Sequence, residues 1–240
     1  MTVLLALDSS TETMALALQS PAGAWQFEAA GGAQASARLV PEALALLAQA
    51  GLALADVDAI AFGRGPGAFT GLRTACAVVQ GLAFGAGKPV LSIDSLMLVA
   101  EDARQQALAA NEPLAGTIWV AMDARMGEIY AAAYRFEPQG WITEVAPALY
   151  APAALCERWG RRPAALAGSA LTAFDELLAG LDMAPRTWPH SASRAAALAA
   201  LAAQAWARGE TLDAAEAMPV YVRDKVAQTT AERLAARAQP

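Results

Sequence analysis

The stretch AFGRGPGAFTGLRTACAVVQGLAFG, Ala61 to Gly85, constrains this chain more than any other. A short apolar run ends in a corner holding Gly63, Gly65, Pro66, Gly67 and Gly71, and a helical pattern follows. That is a strand, a tight turn and a helix. The corner lacks both specific phosphate signatures. A Walker loop needs Gly-Lys followed by Ser or Thr, but Gly87-Lys88 runs into Pro89. The G-x-G-x-x-G pattern breaks at Thr70. Free amides at a helix start still favour an anion. The favoured reading is a rigid corner that aims the following helix, where Gly gives positive φ and close packing and Pro66 stiffens the turn. The helix is more informative. Leu72, Ala75, Cys76, Val79 and Leu82 form one face, yet the opposite side (Thr74, Ala77, Val78, Gly81, Gly85) carries no charge. A helix apolar all round is covered all round. The Ala77, Gly81, Gly85 row lets another helix approach closely, so the helical stretch Leu39–Ala50 is expected to cover part of this side and a partner chain the rest.

The surrounding pattern supplies a fold class. Thr2–Asp8, Met14–Gln19 and Trp25–Glu28 read as three antiparallel strands with short turns. Leu39, Ala43, Leu44, Leu46, Leu47 and Ala50 mark a helix, with Ser36 as its cap and Gly51 as its stop. A strand at Asp58–Gly63, a helix capped by Thr70, a strand at Pro89–Ile93 and a helix capped by Ser95 complete the first half. Three meandering strands followed by helix-linked strands describe an α/β ribonuclease-H-like lobe, the unit of the actin, Hsp70 and sugar-kinase superfamily. The second half begins alike: LALDSSTETMALAL can be laid on VAMDARMGEIYAAAY, placing Asp8 on Asp123. A strand at Trp141–Val145, a short helix around Leu155 and Trp159, a strand at Ala164–Ala167, a helix at Leu171–Leu181, a loop at Pro185–Pro189 and a helix at Ala195–Arg208 follow. The expected organisation is an N-terminal lobe at 1–110 and a less regular C-terminal lobe at 111–240, joined near NEPLAGT.

Composition narrows the chemistry. A net charge of −6 opposes autonomous binding of tRNA or DNA. Arg158, Arg161, Arg162 and the C-terminal Arg223, Lys225, Arg233 and Arg237 read as solvated faces, or less often as phosphate contacts within a larger assembly. The N-terminus has no basic residue before its apolar run, so it is no secretory signal, and no run approaches the ~20 apolar residues of a membrane span. Cys76 and Cys156 read as buried thiols of a reducing cytoplasm. The single histidine, His190, falls in a loop and cannot build a two-histidine metal site. Asp8 and Asp123, at strand ends facing a cleft, are candidates to hold magnesium or act as a base. For Asp8, local hydrogen bonding within DSSTET explains it equally well. Asp123, Arg125 and Glu128 surround a tight turn and are expected to pair among themselves.

LALDSSTETMALAL, the glycine block, MDARMGEIYAAAY and MPVYVRDKVA (Met218–Ala227) together resemble the bacterial TsaB family, formerly called YeaZ. Ala68 stands where that family commonly has serine, and Ala35-Ser36 where many members have histidine beside serine. The resemblance implies a non-catalytic paralogue of TsaD with the same two-lobed fold. TsaD holds a metal through a His-x-x-x-His pair and transfers threonylcarbamoyl to the N6 amine of the adenosine just after the anticodon in tRNA; that pair is missing here. It further implies a TsaD-like partner bound through the N-terminal lobe, a TsaE-like ATPase, dimerisation through that same 1–110 lobe as a homodimer when alone, tRNA contact only through the complex, no membrane, and cytoplasmic location. No cofactor is assigned to this chain, and ATP or ADP belongs to the assembled complex. Carried over, the docking surface falls on Leu39, Ala43, Leu46, Arg64, Phe69, Thr74, Ala77, Val78, Gly81 and Gly85. The rival expectation is an ATP-dependent small-molecule kinase of the same fold, which needs a second glycine-rich phosphate loop; LAGSAL, Leu166–Leu171, is its poor candidate. A glycoprotease reading lacks the metal ligands.

Overall fold

The structure is a computed structural model that describes residues 2–223 apart from Asp175. Lys225, Arg233, Arg237 and the last four residues of MPVYVRDKVA lie outside the described residues.

The first sheet is built on β1 (Leu4–Asp8), β2 (Thr13–Ser20) and β3 (Gly23–Ala30). α1 (Ala35–Gln49), β4 (Ala59–Gly65), α2 (Phe69–Ala86), β5 (Val90–Asp94) and α3 (Ser95–Ala109) follow. β1 pairs antiparallel with β2 and parallel with β4. Every residue of β1 is buried, because both faces of this sheet are covered. The alternation of side chains sorts them into two cores. Leu5, Leu7, Leu16 and Leu18 pack toward α1 and α2. Leu4, Ala6, Ala15 and Ala17 pack toward a helix from the far end of the chain, α7 (Arg194–Ala207). That second face is largely alanine, so α7 sits close to the sheet.

The second sheet contains β6 (Thr117–Asp123), β7 (Ile129–Glu137), β8 (Gly140–Tyr150), β9 (Ala165–Ala167) and β10 (Arg186–Trp188). Its order, β10-β9-β6-β7-β8, repeats the first sheet's β5-β4-β1-β2-β3 strand for strand. In both, the first strand of the lobe pairs antiparallel with the second and parallel with the fourth. Asp8 and Asp123 therefore end equivalent strands, as the sequence overlay expects. α4 (Pro152–Arg158), α5 (Ala170–Ala173) and α6 (Glu176–Ala179) cover one face, and α3 packs on the other.

Several expectations need correction. The 111–240 lobe does not keep its whole segment: α7 packs on the first sheet, and β11 (Thr211–Leu212) pairs with β5. Ser36 is not a cap, because a 3-10 turn at Gly32–Gln34 feeds directly into α1 and leaves Ser36 inside its first turn. Ala68 precedes α2 where Thr70 was expected, and Asp94, not Ser95, caps α3. The helix expected over Leu171–Leu181 breaks at Phe174, whose backbone is extended. The expected loop at Pro185–Pro189 contains β10. Among the described residues no helix is long and apolar enough to cross a membrane.

Candidate functional site

The glycine corner is packed against the chain's own backbone and the Asp8 carboxylate. A Cβ at Gly71 would overlap the Ser9 carbonyl, one at Gly67 the Ser10 carbonyl, and one at Gly63 the Asp8 carboxylate. The Ser9 hydroxyl donates to the Gly71 carbonyl at 2.8 Å, and the Ala68 amide donates to the Ser10 carbonyl at 2.7 Å. These glycines let the DSS turn lie flat against the start of α2. The corresponding corner in the second lobe behaves alike: Gly168, at φ +113°, has no room for a Cβ beside the Ala121 carbonyl.

Asp8 is fully buried, and its Oδ2 receives the Arg194 guanidinium at 2.8 Å and the Ser10 hydroxyl at 3.0 Å. Ser95 donates to its other oxygen at 3.5 Å. A guanidinium from α7 thus occupies the place where a cation would neutralise this carboxylate, and the donor set does not fit a divalent metal. Asp123 accepts from the Arg125 amide at 2.8 Å and lies 3.4 Å from the Arg125 guanidinium, the local pairing expected. Arg125 also reaches Glu12 of the first lobe at 2.7 Å, and Glu128 turns instead to Arg223 at 2.7 Å. Arg223 is consequently half-buried and paired, not a solvated base. Arg158, Arg161 and Arg162 are exposed. His190 is exposed, and its carbonyl accepts from Gln106. Cys76 is buried, its thiol pushed up by desolvation and donating to the Ala217 carbonyl, whereas Cys156 is only half-buried.

The open feature is the outer side of α2. Leu72, Ala75, Cys76 and Val79 face the core, as the periodicity predicts. Ala77, Gly81 and Gly85 are exposed in one row, with Thr74 and Val78 half-buried beside them. Thr74 returns its hydroxyl to the Thr70 carbonyl, so it offers the row no unmet donor. A Cβ at Gly81 or Gly85 would meet nothing within 4 Å. Phe84, absent from the sequence-predicted set, stands 82% exposed at the end of this row. Its position one turn after Gly81 was a readable signal. Leu39, Ala43 and Leu46 are not available to a partner: all three point into the core of their own lobe. The stripe that identified α1 was its inner face. The outer face of α1 carries Pro41, Leu44 and Ala48, with Leu44 47% exposed. Arg64 is exposed, and Phe69 is half-buried beneath Arg73 and Tyr221 of its own chain.

Between the lobes lies a cavity of about 620 Å³, bounded by the DSS turn, the start of α2, the β6–β7 turn and the segment Val220–Arg223. Two ribonuclease-H-like lobes, topologically repeated and facing one another across a cleft, define an α/β protein of the actin, Hsp70 and sugar-kinase superfamily. Residues 31–231 match the family described as "TsaD: tRNA N6-adenosine threonylcarbamoyltransferase". The Escherichia coli (strain K12) protein named tRNA threonylcarbamoyladenosine biosynthesis protein TsaB is 31% identical over 93% of this chain and 96% of its own. Two solved structures from Pseudomonas aeruginosa superpose closely. One, titled "YeaZ", has a TM-score of 0.76 at 37% identity, covering 92% of this chain and 100% of that one. The other, described as an uncharacterized protein with similarity to peptidase YeaZ, has a TM-score of 0.81 at 38% identity, covering 93% and 100%. The chain belongs to the TsaB (YeaZ) family.

Proposed function

We propose that this chain serves tRNA threonylcarbamoyladenosine biosynthesis as a non-catalytic subunit that docks a TsaD-like paralogue through the outer face of α2. The observation that carries this reading is the exposed, uncharged row Ala77, Gly81, Gly85, flanked by Phe84 and by Leu44 of α1. Such a row lets a partner helix approach closely, and Phe84 supplies an apolar anchor. The sequestered Asp8 and the filled glycine corners favour a scaffold over the small-molecule kinase alternative. A TsaE-like ATPase completes the assembly, tRNA is met through the partner, and ATP or ADP belongs to the complex. The same face pairs two copies of this chain when the paralogue is absent. All of this takes place in the cytoplasm.

The test is light scattering on size-exclusion fractions of the chain alone and mixed with its organism's TsaD-type paralogue. A stable pairing should bury ~1,200–2,000 Å² in total. Gly81→Leu keeps the fold, because the added side chain projects into open space, and abolishes both pairings. A folded Gly81→Leu chain that pairs with unchanged affinity would place the interface elsewhere. Threonylcarbamoylation or ATP turnover by the isolated chain, lost with Asp8→Ala or Asp123→Ala in a chain that circular dichroism shows to be still folded, would overturn the non-catalytic assignment.

A further inference from the structure

The segment after β11 runs along α2 and then leaves it. Cys76 and Gln80 both donate to the Ala217 carbonyl, and the Val220 amide donates to the Arg64 carbonyl at 2.7 Å. Tyr221 lies against Phe69 with ring centroids 4.9 Å apart, and its hydroxyl accepts from Arg73 Nε at 3.0 Å. Two residues later Arg223 is on the other lobe. It donates to the Glu128 carboxylate at 2.7 Å and to the Arg125 carbonyl at 3.2 Å. The turn it grips has three successive left-handed residues, Arg125, Met126 and Gly127, at φ 64°, 59° and 73°. Non-glycine residues hold that conformation only when their surroundings enforce it. The interlobe cavity lies beneath this segment.

Arg73 links this segment to the docking face. Arg73, Ala77, Gly81 and Gly85 are spaced by four along one exposed row of α2. The Arg73 guanidinium carbon lies over the Phe69 ring, 3.7 Å from its centroid, and the group is tethered by Tyr221. Without that tether a long side chain at the head of the small-residue row regains rotamers and must be ordered again before a helix can pack across that end.

We propose that Met218–Arg223 is a strap which fixes the second lobe's β6–β7 turn and, through Tyr221, keeps Arg73 ordered at the head of the α2 row, so that interlobe closure and docking are coupled. This deepens the docking function proposed above and rests on it. Coupling is reciprocal: whatever loosens the strap weakens docking, and docking steadies the strap.

The experiment uses the full chain and has two independent arms. In the isolated chain, Tyr221→Ala should raise amide exchange across residues 123–128 by about tenfold or more while leaving α1 and α7 unchanged. Unchanged exchange there would overturn the strap. In the second arm, Tyr221→Ala should weaken binding of the TsaD-type paralogue by about 5- to 20-fold. Tyr221→Phe, which keeps the ring and loses the hydroxyl, should fall between. Arg73→Ala added to Tyr221→Ala should restore most of the affinity, since no long side chain then has to be ordered at the head of the row. Full affinity in Tyr221→Ala, or no restoration by Arg73→Ala, would overturn the coupling. If the wild-type chain bound no such paralogue, the docking function and the coupling would both fall, and the strap would be judged by exchange alone.

Discussion

Gly71 and Gly81 are in the same helix, yet they serve opposite ends. At Gly71 the missing Cβ is a contact: the Ser9 carbonyl sits where it would be, and backbone cannot move aside cheaply. At Gly81 nothing lies within 4 Å, so the missing Cβ costs only helix propensity within the isolated chain. Gly71→Ala should therefore destabilise by about 1–3 kcal/mol or more as an overpacking change. Gly81→Ala should stabilise the monomer by roughly 0.5–1 kcal/mol. Urea titration of both variants checks the contrast. A gain in stability for Gly71→Ala would mean that the DSS turn does not rest on α2. Gly81 was legible in the sequence through its place in the Ala77, Gly81, Gly85 row. The sequence also favours a rigid corner over an anion loop, and the positions of Ser9 and Ser10 supply the physical reason.

Two helix starts are set by charges. α7 begins under Ser193, whose hydroxyl accepts from the Ala196 amide at 3.1 Å, while Glu28 accepts from the Ala195 amide and Asp102 from Ser193. Arg194 then reaches Asp8 across 186 positions of sequence. Losing one member of a buried pair strands the other charge, so Arg194→Ala should cost about 3–5 kcal/mol. Arg194→Met combined with Asp8→Asn should cost less than the sum of the single changes, measured as a double-mutant cycle in urea. α3 begins at Asp94, which accepts from the Leu96 and Met97 amides and from the Tyr134 hydroxyl at 2.8 Å. Burial pushes the Asp94 carboxyl above the ordinary value; the bonds from Tyr134, Leu96 and Met97 and the charge of Arg64 oppose this without cancelling it. An acid with a higher pKa folded than unfolded binds more protons when folded, so its contribution falls as pH rises from the unfolded to the folded pKa. Asp94→Asn should thus match wild type at low pH and gain on it through that window, read from unfolding between about pH 3 and about pH 7. Asp94 also shows where sequence reading stops. α3 was legible from periodicity, but choosing Asp94 over Ser95 as its cap required knowing which side chain turns back to the amides. α2 was legible almost to the residue, because its apolar pattern is local. The Asp8–Arg194 pair was not, because no periodicity joins residues so far apart.

At the scale of the whole molecule, the repeat of β1–β5 in β6–β10 makes the chain look divisible near Asn111, and the sequence reads that way. The cores say otherwise. One face of the first sheet, with Leu4, Ala6, Ala15, Ala17 and Leu91, is closed by Ala195, Leu198, Leu201 and Ala202 of α7. β11 adds a sixth strand beside β5. The second lobe is therefore an insertion between α3 and α7 of the first, and the first lobe is complete only when the chain returns. A fragment of residues 1–110 would keep only Leu98 and Met97 of α3 on that apolar sheet face and leave the area under α7 bare, a condition that favours aggregation over folding. It should give no cooperative urea transition and should be recovered mainly as aggregate. Joining residues 194–223 to it through a flexible linker should restore a cooperative transition, because α7 and β11 then close the sheet without the second lobe. The readout is circular dichroism against urea for both chains. Cooperative unfolding of the 1–110 fragment alone would show that α7 is dispensable to the first lobe, and the chain would then divide where its repeated pattern suggests.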